Sequence, residues 1–311
     1  MSATAVDTSA PSSVTARRGP GNPVRRMTRW MSARGKLTVG LILLALLVLI
    51  ALFSGQIISA VGHGGNPLAV GYAERWLPHG GQYVLGTDEY GRDIVALCVK
   101  GLTASLVVGA ISGLISTAIG VVVAFWAGYK GGWIDGFLNT VTDMFLVIPT
   151  LPLLLAFAAF AHHIGIVELS ILLSVFAWAF AARTIRSQVL SLRSRSYVDL
   201  AKVTMSGDTA IIVQELTPNL LPFIGVGFAN AVLGAIFGLV GLEVIGLGPS
   251  GVIDLGFLIN EAVGGGALTL GIWPMFIIPI VLLTVLFFGL NLINIGLDEF
   301  YNPRLRRYSG A

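Results

Sequence analysis

This sequence carries little charge. Only 11% of its 311 residues are Asp, Glu, Lys or Arg, while 55% are hydrophobic. A soluble domain typically carries about 25% charged residues, so the deficit points to lipid as the solvent. There is a single cysteine, Cys98, which excludes an intrachain disulfide and a multi-cysteine metal site. The four histidines include no His-x-x-x-His pair, so metal ligation has no support either. The phosphate-cradling pattern G-x-x-x-x-G-K-[ST] is absent; "ARGKLT" at 33–38 carries the Gly-Lys and nothing else of it. "GLGPSG" at 246–251 matches G-x-G-x-x-G but follows an apolar run rather than a strand, and reads as a tight turn and a close helix approach.

Six runs reach the roughly 20 apolar residues needed to cross about 30 Å of hydrocarbon. They lie near 37–59, 102–127, 136–160, 164–182, 222–247 and 271–296. The fold class expected is therefore all-α, a polytopic membrane protein with six spans. Pro149 and Pro152 predict a kink in the third span. Ahead of the first span, residues 1–36 are Ser, Thr, Pro and Arg-rich and read as a disordered basic tail. The first span and a long loop fill 37–100, a core domain 101–298, and a short tail 299–311.

Lysine and arginine placement sets the orientation. With the N-terminus inside, the inner segments hold 16 of the 19 basic residues, and the outer ones only Arg75, Arg92 and Lys100. Both termini and the polar insert at 183–221 are thus expected in the cytoplasm. Ionisable residues within spans are functional suspects because lipid solvates them poorly. Asp143 reads as bonded to a neighbouring helix near the inner face. Glu243, near the outer end of the fifth span, is a candidate for the pathway or outer gate.

The insert "SYVDLAKVTMSGDTAIIVQELTPNLLP" at 196–222 carries a short amphipathic helix. Tyr197, Leu200, Ala201 and Thr204 recur at i, i+3, i+4 and i+7. Ser206-Gly207-Asp208 supplies a stop and turn, and a second helix near 209–217 ends at Pro218 before Pro222 opens the next span. A helix this short is marginal alone and needs a partner surface. The alternative to a protein partner is the lipid surface.

The insert resembles the EAA loop of ABC-importer permeases of the oligopeptide/dipeptide/nickel group. Tyr197, Val198, Asp199, Ala201 and Lys202 occupy its opening, and Pro218, Asn219, Leu221 and Pro222 its close. Asp199 stands for the usual Glu, Leu200 for the first Ala and Met205 for the usual Gly, with Gly207 two residues on. "LGTDEYGRDI" at 85–94, "GYKGGWID" at 128–135, "IPTLPLLL" at 148–155, "ARTIRSQVLSLRSRSYVD" at 182–199, "IGLGP" at 245–249 and "NPRLR" at 302–306 resemble further segments of the second-permease (C-type) subunits. The group's P-x-W-G reads Asp254-Leu255-Gly256 here.

The resemblance implies a type I permease fold in a heterodimer with a related permease, two ATPase subunits beneath and an extracytoplasmic substrate-binding protein above. It implies no catalytic residue and no cofactor in this chain, with ATP used by the partners, and nucleic acid plays no part. The coupling residues implied are Tyr197, Asp199, Leu200, Ala201, Lys202, Met205 and Gly207. Glu243, Gly246, Gly248 and Asp254 form the candidate outer gate. Peptides are the cargo implied first, with oligosaccharides or nickel as alternatives. A secondary transporter or channel is disfavoured by the few intramembrane charges, and a membrane scaffold has no need of such a loop.

Overall fold

The computed structural model describes residues 23–160, 164–204 and 207–301. These form eleven α-helices: α1 Pro23–Leu52, α2 Ser54–Val61, α3 Ile94–Phe125, α4 Gly132–Val147, α5 Thr150–Phe160, α6 Ile166–Arg193, α7 Ser196–Thr204, α8 Asp208–Ile211, α9 Thr217–Val244, α10 Leu255–Gly264 and α11 Pro274–Tyr301. Five helical stretches are long and apolar enough to cross a membrane, and α4 with α5 makes a sixth bent by 77°. Pro149 sits at that bend, as its position predicts.

The helices overrun the apolar segments at one end. The sequence places the fourth span at 164–182, whereas α6 runs on to Arg193. Likewise α1 starts at Pro23, so residues 23–36, expected within a disordered tail, are helical here; residues 1–22 lie outside the described residues. Helices continue out of hydrocarbon because Arg, Lys, Ser and Gln carry no penalty in a solvated helix comparable to their penalty in lipid.

The start of the fifth span differs from expectation. No break falls at Pro218 or Pro222; the helix is continuous from Asp208 to Val244. A π turn, Ile212–Leu216, joins α8 to α9, and the Ile212 carbonyl accepts both the backbone N–H and the hydroxyl of Thr217. A widened turn just ahead of Pro218 absorbs the missing N–H that would otherwise end the helix. A second π turn, Trp126–Lys130, ends α3.

Small residues set the packing. Without water there is little hydrophobic drive between spans, so helices associate through close backbone approach and interhelical hydrogen bonds. Along α3, the Ser112 and Ser116 hydroxyls donate to the Ser170 and Ser174 carbonyls of α6. Gly109 and Gly113 receive Ile236 and Val232 of α9, and Gly120 receives Ala181 of α6. Between α1 and α11, Gly40 lies against the backbone of Gly289 and Ile293, and Gly296 against that of Leu37. Lys36 and Glu299 pair at the same end.

A Cβ at Gly296 would meet Leu37 Cβ at 2.7 Å and its backbone nitrogen at 2.8 Å. Gly296→Leu is therefore expected to lower the thermal midpoint of the detergent-solubilised chain, by about 1–3 kcal/mol of stability. Gly234→Leu, where a Cβ meets nothing within 4 Å, is expected to leave the midpoint unchanged.

Candidate functional site

The end of the bundle that carries α7, with Lys130, Arg186, Arg193 and Lys202, is its basic end. There α7 is short but not free. Val198 and Ala201 are buried in a cluster with Phe125 and Tyr129 at the end of α3, Ile185 and Val189 of α6, Ile211 of α8 and Leu220 of α9. On the other side Tyr197, Leu200 and Val203 face out, Leu200 and Val203 at 66% and 85% exposure. Asp199 and Lys202 pair at 2.9 Å on the surface, worth little in water.

Polar links around this seat join four elements. The Arg193 guanidinium donates to the Gly128 and Tyr129 carbonyls at 3.0 Å, capping the π turn that ends α3. The Tyr129 hydroxyl donates to Asp208 at the start of α8, 3.2 Å away. Arg186 grips Asp135 of α4 through two bonds of 2.6 and 2.7 Å, the bidentate geometry that arginine favours. Arg183 and Asn139 bond Asp143, which is therefore tied to a neighbouring helix as expected. The seat of α7 is thus one in which α3, α4, α6 and α8 are tied to one another.

Gly207 departs from expectation. Its backbone is extended (φ −165°, ψ 145°) and a Cβ would meet nothing within 4 Å. Its conformation is open to any L-residue, so the turn does not demand glycine here. Met205 and Ser206 lie outside the described residues. The stripe read as Tyr197, Leu200, Ala201 and Thr204 is split by the fold: Ala201 turns inward, and Val203 takes its place on the exposed side. The i, i+3, i+6 spacing of Tyr197, Leu200 and Val203 was the missed signal.

At the opposite end, α9 stops in a Schellman turn. The Leu247 N–H donates to the Leu242 carbonyl and the Gly246 N–H to that of Glu243; Gly246 takes φ +80°, a conformation glycine tolerates. The G-x-G-x-x-G segment is thus a helix stop. Glu243 and Asp254 are 3% and 0% exposed, and their side chains meet beside Gly256, where a Cβ would stand 3.0 Å from Glu243 Cβ and 3.1 Å from Asp254 Oδ1. Gly248 and Gly256 make the room: a Cβ at Gly248 would overlap the Glu243 carboxyl. Asp254 Oδ1 also caps α10, accepting from the Gly256 and Phe257 amides at 2.7 and 3.1 Å. The Asn260 amide donates to the Glu243 carbonyl, and the Leu255 N–H to Ser105 Oγ of α3. Glu243, Gly246, Gly248 and Asp254, four candidates read from the sequence, therefore form one knot.

Beside it lies a constellation that the sequence reading did not assemble. Arg92 is buried between Asp88 and Glu261 of α10, 2.5 Å from each. Thr87, Asp88, Arg92 and Asp93 are all buried, so the 85–94 segment is a folded turn. Gly86 (φ +87°) and Gly91 (φ +72°) press their α-carbons on the Leu77 and Ala73 carbonyls, where a side chain would clash. Asp93 caps α3 through the Ala96 N–H. No sequence signal pairs Arg92 with Glu261, because 169 positions separate them.

A helical bundle with five stretches long and apolar enough to cross a membrane, and a sixth made of a bent pair, defines a polytopic membrane protein. Residues 120–307 match the family described as "Binding-protein-dependent transport system inner membrane component". The chain is 32% identical over 233 residues to the oligopeptide transport system permease protein OppC of Mycobacterium tuberculosis, covering 74% of this chain and 78% of that protein. It is 29% identical over 263 residues to the dipeptide transport system permease protein DppC of Bacillus subtilis, covering 84% and 81%. The chain belongs to the family of binding-protein-dependent transport system inner membrane components.

Burial pushes the Glu261 carboxyl from 4.5 up to about 7, against the pull of Arg92. Between those values the folded chain holds a proton that the unfolded chain has released, so stability falls as pH rises across that window and levels off above it. Thermal midpoints of solubilised protein against pH are expected to show this slope, and Glu261→Gln is expected to flatten it.

Proposed function

We propose that this chain is the permease subunit of an ATP-driven peptide importer, with α7 as the helix that receives force from a separate ATPase. The observation that carries the proposal is the two-faced seating of α7. Val198 and Ala201 fasten it to the bundle, while Tyr197, Leu200 and Val203 remain open to a partner. Lipid is the weaker occupant: the i+3 neighbours Asp199 and Lys202 flank this face, and Leu200 and Val203 offer a compact two-residue plug rather than a broad stripe.

The positive-inside bias sets the basic end, both termini and α7 in the cytoplasm, and α10 with the 62–93 loop outside. This chain then forms half of the pathway with a related permease, two ATPases dock below, and a binding protein delivers cargo from above. Hydrolysis belongs to the ATPases, and this chain contributes neither catalytic group nor cofactor. Peptides are the cargo favoured by the oligopeptide and dipeptide permeases that it resembles. Glu243, Gly246, Gly248 and Asp254 make the outer gate.

Burying Leu200 or Val203 in an ATPase cleft contributes about 1.5–3 kcal/mol each. Leu200→Asp and Val203→Asp are expected to weaken ATPase association about tenfold or more and to abolish substrate-stimulated ATP hydrolysis, while the permease still inserts. Unchanged stimulation in both variants would remove α7 from the coupling role. Gly207→Ala is expected to keep stimulation, since its backbone suits alanine, and Gly207→Pro to lose it, because proline is held near φ −65°. Uptake of di- and oligopeptides by vesicles carrying the assembled system tests the cargo; uptake of short glucans or Ni²⁺ in their place would overturn it.

A further inference from the structure

The acid–acid contact at the end of α9 has a chemical consequence. Glu243 Oε1 and Asp254 Oδ2 are buried oxygens without a hydrogen-bond donor. Among the described residues, no lysine, arginine or histidine pairs with either carboxyl. The ionisable groups on the elements packed around them lie elsewhere: Lys100 on α3 and Glu168 on α6 are exposed, and Glu261 on α10 is held by Arg92. Two carboxylates in contact, out of water and with no cation, cannot both be ionised. The remaining arrangement is one proton shared by two carboxyl groups, and the pair titrates as a unit.

We propose that Glu243 and Asp254 form a proton-binding site: one proton, carried by Glu243 and donated to the Asp254 carboxylate, latches the end of α9 to the start of α10. Asp254 is the acceptor because its Oδ1 already takes two amide N–H bonds, which favour its charged form. Two further observations fit a built site. Gly248 and Gly256 clear the space the carboxyls occupy, and Asn260 ties α10 back to the Glu243 carbonyl.

Opening the gate separates the two acids into water. The Glu243 proton then passes to solvent, leaving two carboxylates, and closing takes one proton back. The closed form binds one proton more than the open form, so closure weakens as pH rises, by about tenfold per pH unit once the pair begins to lose its proton. The latch rests on the outer-gate reading; the shared proton does not.

Infrared difference spectroscopy of the assembled transporter in nanodiscs, comparing wild type with Glu243→Gln, tests the proton. A protonated-carboxyl C=O band is expected in the wild type at neutral pH, bleaching at alkaline pH, and absent from Glu243→Gln. A wild-type spectrum without such a band, or a band that Glu243→Gln retains, overturns the proposal. Glutamine donates the same bond without a titrating proton, so the latch is tested by comparison with it. Val252→Cys, on the α9–α10 connection, is labelled with an impermeant maleimide in both backgrounds. The ratio of labelling rates, wild type over Glu243→Gln, is expected to rise about tenfold per pH unit above the onset of bleaching; a constant ratio overturns the latch. Neither spectrum nor labelling requires cargo, so failure of peptide uptake would sink the importer reading and leave this result standing.

Discussion

Everything in this fold hangs on the close approach of α3 to its neighbours. A lipid-embedded bundle cannot rely on expelling water, so its helices must come near enough for dispersion and hydrogen bonding to hold them. Along α3 that is achieved by Gly109, Ser112, Gly113, Ser116 and Gly120, which meet the backbone of α6 and the branched side chains of α9. The same helix reaches both ends of the bundle. Its first turn is capped by Asp93 beside the Arg92 cluster, and its last turn, the π segment, is capped by Arg193 beneath α7. A single continuous helix, Ile94–Lys130, therefore connects the seat of α7 to the α10 end.

The two ends are built from opposite chemistry. At the basic end the polar links are partly solvated and bidentate, as in Arg186–Asp135, and they join several elements to one small helix. Such links hold geometry more than they stabilise. At the α10 end the polar groups are buried. Arg92 with Asp88 and Glu261 is compensated; Glu243 with Asp254 is not, unless a proton intervenes. Buried ionisable groups are costly to keep, so an end built from them is poised to change state when its surroundings change.

Much was legible in the chain because lipid imposes a local rule. The six apolar runs, the kink at Pro149 and the basic bias each depend on residues adjacent in sequence. Helix ends were read less well. The prolines at 218 and 222 pointed to a break that the π turn at Ile212–Leu216 removes, and α6 continues past its apolar run to Arg193. In both cases tertiary packing overrides a local signal. Ala201 and Val203 changed places for a related reason: a short amphipathic helix has two apolar sides once one is docked, and periodicity alone does not say which is covered.

By itself the sequence determined that the chain lies in a membrane, where its long apolar runs fall, which end carries the positive charge and where the polar helix falls. These are sums over contiguous residues, and lipid reads contiguous residues. Only the tertiary structure decided that Val198 and Ala201 face in while Leu200 and Val203 face out, that Arg92 meets Glu261, and that Glu243 meets Asp254 with two glycines making room. Those contacts join groups far apart in the chain. Their energies depend on burial and on the presence or absence of a partner charge, and neither exists until the helices pack.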